Sequence, residues 1–97
     1  MSTEELLKDR GAVYGDVRAN MNCAAELIEV WYRYGRGNPG MKFDAEYNTI
    51  AFNGCIQMVF HKLARICTGN LLHEDNYKDI CGYTELARKI AMGEMDK

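Results

Sequence analysis

The sequence predicts an all-α fold, a four-helix antiparallel bundle completed by homo-oligomerisation. Three observations lead there. A single proline, Pro39, interrupts 97 residues. Apolar side chains recur at three- and four-residue intervals over long stretches, the period of a helix with one face turned to a core. The glycines fall mainly where those stretches stop, as helix ends require. At this length, residues 1–97 make one domain with a core over about 3–92. Such a chain buries roughly 65% of the surface its unfolded form exposes, enough for one core.

The first helical segment opens on Ser2-Thr3-Glu4-Glu5, a capping box ahead of Leu6 and Leu7, and runs to about Val13. Asp16 then caps a second segment, in which Val17, Met21, Ala24, Ile28 and Trp31 form one stripe and Gly35 supplies the stop. Gly35-Arg36-Gly37-Asn38-Pro39-Gly40 is the strongest loop signal in the chain. The third segment, capped by Asp44, runs from Ala45 to about Cys67. Its Phe52, Cys55, Ile56, Val59, Phe60, Leu63 and Ile66 cover more than one stripe, so it belongs in the middle of the packing. Gly69-Asn70 ends it. The fourth starts near Glu74 and carries Ile80, Tyr83, Ala87 and Ile90, and the polar tail from Gly93 is expected to fray. Short connections make such helices antiparallel neighbours. Trp31, Tyr32 and Tyr34 exceed what one stripe can bury, which points to self-association across a two-fold axis.

Composition narrows the function classes. The chain has 12 basic and 14 acidic residues and a formal charge of −2, with no basic stripe, so a nucleic-acid polymer is not the expected partner. No apolar run is long enough to span a membrane, and Glu4 and Glu5 stand where a signal peptide carries basic residues, so the expected compartment is the cytoplasm. Cys23, Cys55, Cys67 and Cys81 are spaced 32, 12 and 14 apart. That spacing lacks the two-by-two grouping of a zinc site, and their apolar neighbours read them as small buried hydrophobes. His61 and His73 have no nucleophile partner at interpretable spacing, and neither a Walker loop nor a GxGxxG is present.

Three clusters carry the candidate chemistry. Arg10, Tyr14, Gly15 and Asp16 meet at the junction of the first two segments, where the N–H groups of a helix start suit an anion and Tyr14 either stacks on a base or covers the core. Lys62 and Arg65, three apart, share one face of the apolar third segment. Asp75 and Asp79, four apart, share a face of the fourth with Tyr83 a turn further on. Charges set into an apolar helix need an answer. One account is an ion-pair network, Lys62 with Asp79 and Arg65 with Asp75, tying the helices together. The other is a polar pocket whose cations meet phosphates and whose carboxylates accept from ribose hydroxyls or hold Mg²⁺. Both accounts can hold together.

The ordered set Asp9-Arg10-x-x-x-Tyr14-Gly15-Asp16, Lys62-Leu63-Ala64-Arg65-Ile66 and His73-x-Asp75-Asn76-x-x-Asp79-Ile80-x-Gly82-Tyr83 resembles an uncharacterised family of small phage-encoded helical proteins. The resemblance spans roughly Leu6 to Arg88. That family is in turn distantly similar to phage nucleotide-modification-associated domains and to MazG-type nucleotide pyrophosphohydrolases, which gather four carboxylates around Mg²⁺. Here the corresponding positions are Glu26 and Glu29 with Asp75 and Asp79; Ala25 stands where the leading glutamate of the pattern would be, and the second pair has the wrong spacing. Metal-assisted hydrolysis needs a filled ligand set. The resemblance therefore implies a nucleotide-binding protein without catalysis or metal, of the kind that sequesters nucleotide immune signals such as cyclic ADP-ribose-type molecules or cyclic dinucleotides. Arg10, Lys62 and Arg65 would hold phosphates, and Tyr14 and Tyr83 would stack on a base. The alternatives are a divergent Mg²⁺-dependent pyrophosphohydrolase and a structural or interaction module.

Overall fold

The computed structural model describes residues 16–36, 38 and 46–96, together with Thr3. Among them it is all-helical: α1 (Val17–Gly35), α2 (Glu46–Thr68), α3 (Glu74–Ala91) and a 3-10 turn (Glu94–Asp96). Three long helices stand where a bundle of four is expected. The first of the four, from about residue 3 to 13, lies outside the described residues apart from Thr3, as does the expected cap Asp44.

Asp16 caps α1 as its sequence position suggests. With an extended backbone (φ −69, ψ 118), its carboxylate accepts from the N–H groups of Arg18 (2.8 Å) and Ala19 (3.5 Å). The other end departs from expectation: Gly35 is the last helical residue, but the chain passes into a right-handed Arg36 (φ −56, ψ −34) whose N–H donates to the Tyr32 carbonyl. Gly35 itself is thus part of the helix and not its stop. A left-handed glycine occurs after α3, where Gly93 takes φ 72.

Helix α2 is central, packed against both α1 and α3, in keeping with its apolar surface. The α1–α2 pair is antiparallel. At one end the Thr68 hydroxyl joins the Asn20 side chain while also donating to the Ala64 carbonyl. At the other, Trp31 Nε1–H donates to Asn53 Oδ1 (3.1 Å), Gln57 donates to the Tyr32 hydroxyl (2.9 Å), and the Trp31 ring meets Phe60 edge-on at 5.7 Å.

The expected α1 stripe is therefore rotated. Asn20 and Ala24 are buried, Ile28 and Trp31 half-buried, and Val17 and Met21 exposed. The cause is polar: the Asn20–Thr68 and Trp31–Asn53 bonds fix which face of α1 meets α2. The interior at the helix crossings is built from small residues, with Ala24 and Ala64 both 0% exposed and Ala87, Cys55 and Val59 buried. Small side chains let helix axes approach toward the short end of the usual range of about 8–10 Å.

A five-residue connection, 69–73, turns the chain from α2 into α3. Asn70 accepts from the Leu72 N–H, and the Tyr77 hydroxyl donates back to the Leu71 carbonyl (2.8 Å), pinning the turn to the first turns of α3. After α3, the described part of the tail forms a 3-10 turn clasped by side chains. Arg88 reaches both Glu85 and Glu94, at 2.9 and 2.8 Å. These charge-assisted bonds hold the Glu85 carboxyl below its usual range and push the Arg88 guanidinium further up.

Candidate functional site

The antiparallel order brings several predicted residues to one end of the helical array. Asp16 sits at the start of α1, Lys62 and Arg65 in the last turns of α2, and Asp75 and Asp79 in the first turns of α3. Tyr83 lies one turn beyond Asp79 on the same helix. Arg10, Tyr14 and Gly15 lie outside the described residues.

The Lys62–Asp79 ion pair expected from the sequence is present, with Nζ to carboxylate oxygen at 2.9 Å. Its two halves differ in environment: the lysine side chain is 11% exposed and the aspartate 46%. The ammonium is therefore set under the surface and answered by a carboxylate that keeps contact with water. Asp75, expected opposite Arg65, lies 3.9 Å from His73 Nε2. Arg65 is half-buried in the last turn of α2, where a cation complements the helix C-terminus, and it is engaged by its surroundings.

Asp79 also lines a shallow hollow of about 230 Å³ shared with Lys78, Gly82, Tyr83 and Leu86. Gly82 leaves this surface low; a Cβ placed there would meet nothing within 4 Å. Lys78 adds a second cation, loosely matched by Glu74 at 3.9 Å. The hollow thus combines an aromatic ring, the Lys78 ammonium group and a carboxylate, with Lys62 paired to that carboxylate but not itself part of the lining. That combination suits a phosphorylated polar ligand, although two acidic partners keep the local charge near neutral. At α1, the N–H groups of Arg18 and Ala19 already have an acceptor in Asp16.

Glu26 and Glu29, the other half of the alternative Mg²⁺ set, are exposed on α1, whereas Asp75 and Asp79 belong to α3, with α2 packed against both helices. Among the described residues, no group of three or more His, Cys, Asp or Glu side chains comes together in a way that could hold a metal ion.

Some features escape the sequence reading. Asn76, between Asp75 and Asp79, is 1% exposed, and its amide Nδ2 has no hydrogen-bond partner among the described residues. Its position continues the Ile80, Tyr83, Ala87, Ile90 stripe four residues upstream, but its polar side chain hides that signal. The cysteines also differ from expectation. Cys55 is buried, Cys23 half-buried, and Cys67 and Cys81 are exposed, because the faces of α2 and α3 that carry the last two turn outward. A second, more apolar cavity of about 380 Å³ is lined by Val30, Trp31, Tyr34, Gly35 and Asn38 at the far end of α1.

A family model described as a domain of unknown function, DUF6378, matches residues 2–91. The chain belongs to this family. The DUF6378 match covers α1, α2 and α3 together with the whole Lys62–Asp79 region, so the candidate site is part of the family's own domain. No curated protein and no solved structure matches this DUF6378 chain. No helix among the described residues is long and apolar enough to cross a membrane.

Proposed function

We propose that this DUF6378 protein is a non-catalytic nucleotide-binding protein whose phosphate-facing end is the Lys62 region of the helical array. The carrying observation is the asymmetry of the Lys62–Asp79 pair at the edge of the hollow. A nearly buried ammonium is held in place by a carboxylate that stays half in water and also lines an accessible recess. An entering phosphate displaces Asp79 from Lys62 at modest cost, since the aspartate regains solvent as it leaves. The hollow is smaller than the roughly 300–1,000 Å³ of a site that encloses a drug-sized ligand. It therefore takes the phosphate and ribose part of a nucleotide, with Tyr83 offering its ring or hydroxyl, while Arg65 and Asp75 flank the same end.

The finer parts of the proposal rest on the resemblance given above, which is fold-level analogy. They are a phage-encoded cytoplasmic protein, distantly MazG-like, that sequesters nucleotide immune signals, and a four-helix, homo-oligomeric assembly. The exposed Val30 and Tyr34, which share a face at the far end of α1 beside the apolar cavity, support an assembly.

One observation favours a second reading. An ion pair at 2.9 Å is complete in itself, and a scaffold role for Lys62 and Asp79 needs no ligand. Titration with ADP-ribose derivatives and cyclic dinucleotides, followed by recovery of the ligand after denaturation, separates the two. The binding reading expects an intact ligand from the wild-type protein and none from Lys62→Met/Asp79→Leu with its fold retained. Equal binding by both proteins makes the pair scaffold only, and no ligand across the panel defeats the nucleotide reading. Pyrophosphate release that is abolished by EDTA would instead establish the hydrolase.

A further inference from the structure

The α1–α2 register brings two cysteines together that the candidate site does not use. Asn20 is joined to Thr68 at one end of the pair, and Trp31 and Tyr32 are joined to Asn53 and Gln57 at the other. Cys23 lies within one helical turn of Asn20 on α1, and Cys67 directly precedes Thr68 on α2, so both thiols sit beside the same inter-helix contact. The fully buried Ala24 next to Cys23, and Ala64 one turn before Thr68, keep the two backbones close there. A disulfide requires Cα atoms about 4.4–6.8 Å apart, which only such a close crossing allows between helices. Burial pushes the Cys23 thiol up from its ordinary range, and the Cys67 thiol on the facing helix adds to this. Cys67 is exposed, so an oxidant reaches it first, while half-buried Cys23 stands behind it.

We infer that Cys23 and Cys67 are a redox-modification site that forms an intramolecular disulfide between α1 and α2 when the protein meets a hydroperoxide. In the first step the Cys67 thiolate attacks a peroxide oxygen. The O–O bond breaks, the sulfur becomes a sulfenic acid, and the leaving hydroxide takes a proton to become water. In the second, the Cys23 thiolate attacks the Cys67 sulfur, the S–O bond breaks, and hydroxide leaves as a second water after taking a proton. Two thiols and one hydrogen peroxide thus give one disulfide and two waters, with the sulfur pair oxidised by two electrons. The covalent clip fastens α1 to the central helix and closes the 44-residue span between the two positions. The nucleotide proposal plays no part in this inference.

The test treats the reduced, full-length protein with hydrogen peroxide, blocks the remaining thiols, and maps cross-links by non-reducing digestion and mass spectrometry. The expected product is a monomer carrying one Cys23–Cys67 cross-link. Its melting temperature should exceed that of the reduced protein by roughly 15–30 °C, from the loop-entropy effect of a disulfide closing a loop of this length. Cys81→Ser, at an exposed thiol, should form the same link. Oxidised glutathione should reach the same end state, because Cys23 resolves any mixed disulfide on Cys67. A disulfide joining two chains, a mixed disulfide persisting on Cys67, or over-oxidation of Cys67 with Cys23 still reduced would each overturn the inference.

Discussion

Replacing Asp79 by alanine removes the carboxylate that answers Lys62, and the structure sets the size of the effect. A fully exposed pair is worth about 0.2–1 kcal/mol, whereas breaking a fully buried one costs about 3–5 kcal/mol because a charge is left without a partner. Here the lysine is 11% exposed and the aspartate 46%, so the contact lies between these limits and toward the lower one, since water reaches the aspartate side. Asp79→Ala should therefore cost about 1–2 kcal/mol, or on the order of 10 °C in melting temperature for a domain of this size. Lys62→Met should cost less than about 1 kcal/mol, because the methionine keeps the apolar stem packed. The double variant Lys62→Met/Asp79→Ala should return to within about 0.5 kcal/mol of wild type. Urea denaturation of the four proteins closes a double-mutant cycle with a coupling of about 1 kcal/mol. A coupling near zero, with Asp79→Ala melting like wild type, would mean that the pair is not formed in solution and would remove the basis for placing a fixed cation beside the hollow.

Three further outcomes follow from the fold. Gly54 lies inside α2, and a Cβ there meets nothing within 4 Å, so Gly54→Ala should raise stability by about 0.5–1 kcal/mol through helix propensity alone, as read by thermal melting. Ala64 is 0% exposed on the central helix; Ala64→Leu overfills it and should cost about 1–3 kcal/mol in urea denaturation. Arg88 holds the Glu85 carboxyl below its ordinary value of 4.5. With the folded value depressed, the clasp is fully present above pH 4.5 and is lost as pH falls through the lower folded value. An NMR titration should show Glu85 moving back up in Arg88→Ala, with faster amide exchange at Glu94 and Met95.

Much of the helical order is legible in the sequence because its signals are local. Asp16 caps α1 through bonds to residues two and three positions on, and the dense apolar run of α2 marks it as the central helix wherever its neighbours lie. The Lys62–Asp79 pair is legible by a different logic, since a cation in an apolar helix has to be answered and the nearest spaced carboxylates are on the next helix. What the sequence hides depends on contacts across helices. Asn20 reads as a polar surface residue until Thr68 is opposite it, and this bond rotates the buried face of α1 away from Val17 and Met21. The Arg88–Glu94 clasp reads as a polar tail because its two ends are six positions apart and are joined only by the turn at Gly93. Cys67 reads as a buried hydrophobe from its apolar neighbours, yet it lies on the outward side of α2.

The most direct test of the central claim is isothermal titration of the folded protein with ADP-ribose derivatives and cyclic dinucleotides, run beside Gly82→Met. The methionine enters the hollow from a position where a Cβ meets nothing, so the variant should keep its helices and melt no lower than wild type. The account expects a saturable heat with a nucleotide for wild type and at least a tenfold weaker affinity for Gly82→Met. Binding of equal strength in both proteins would contradict it, as would no heat from any nucleotide with the wild-type protein.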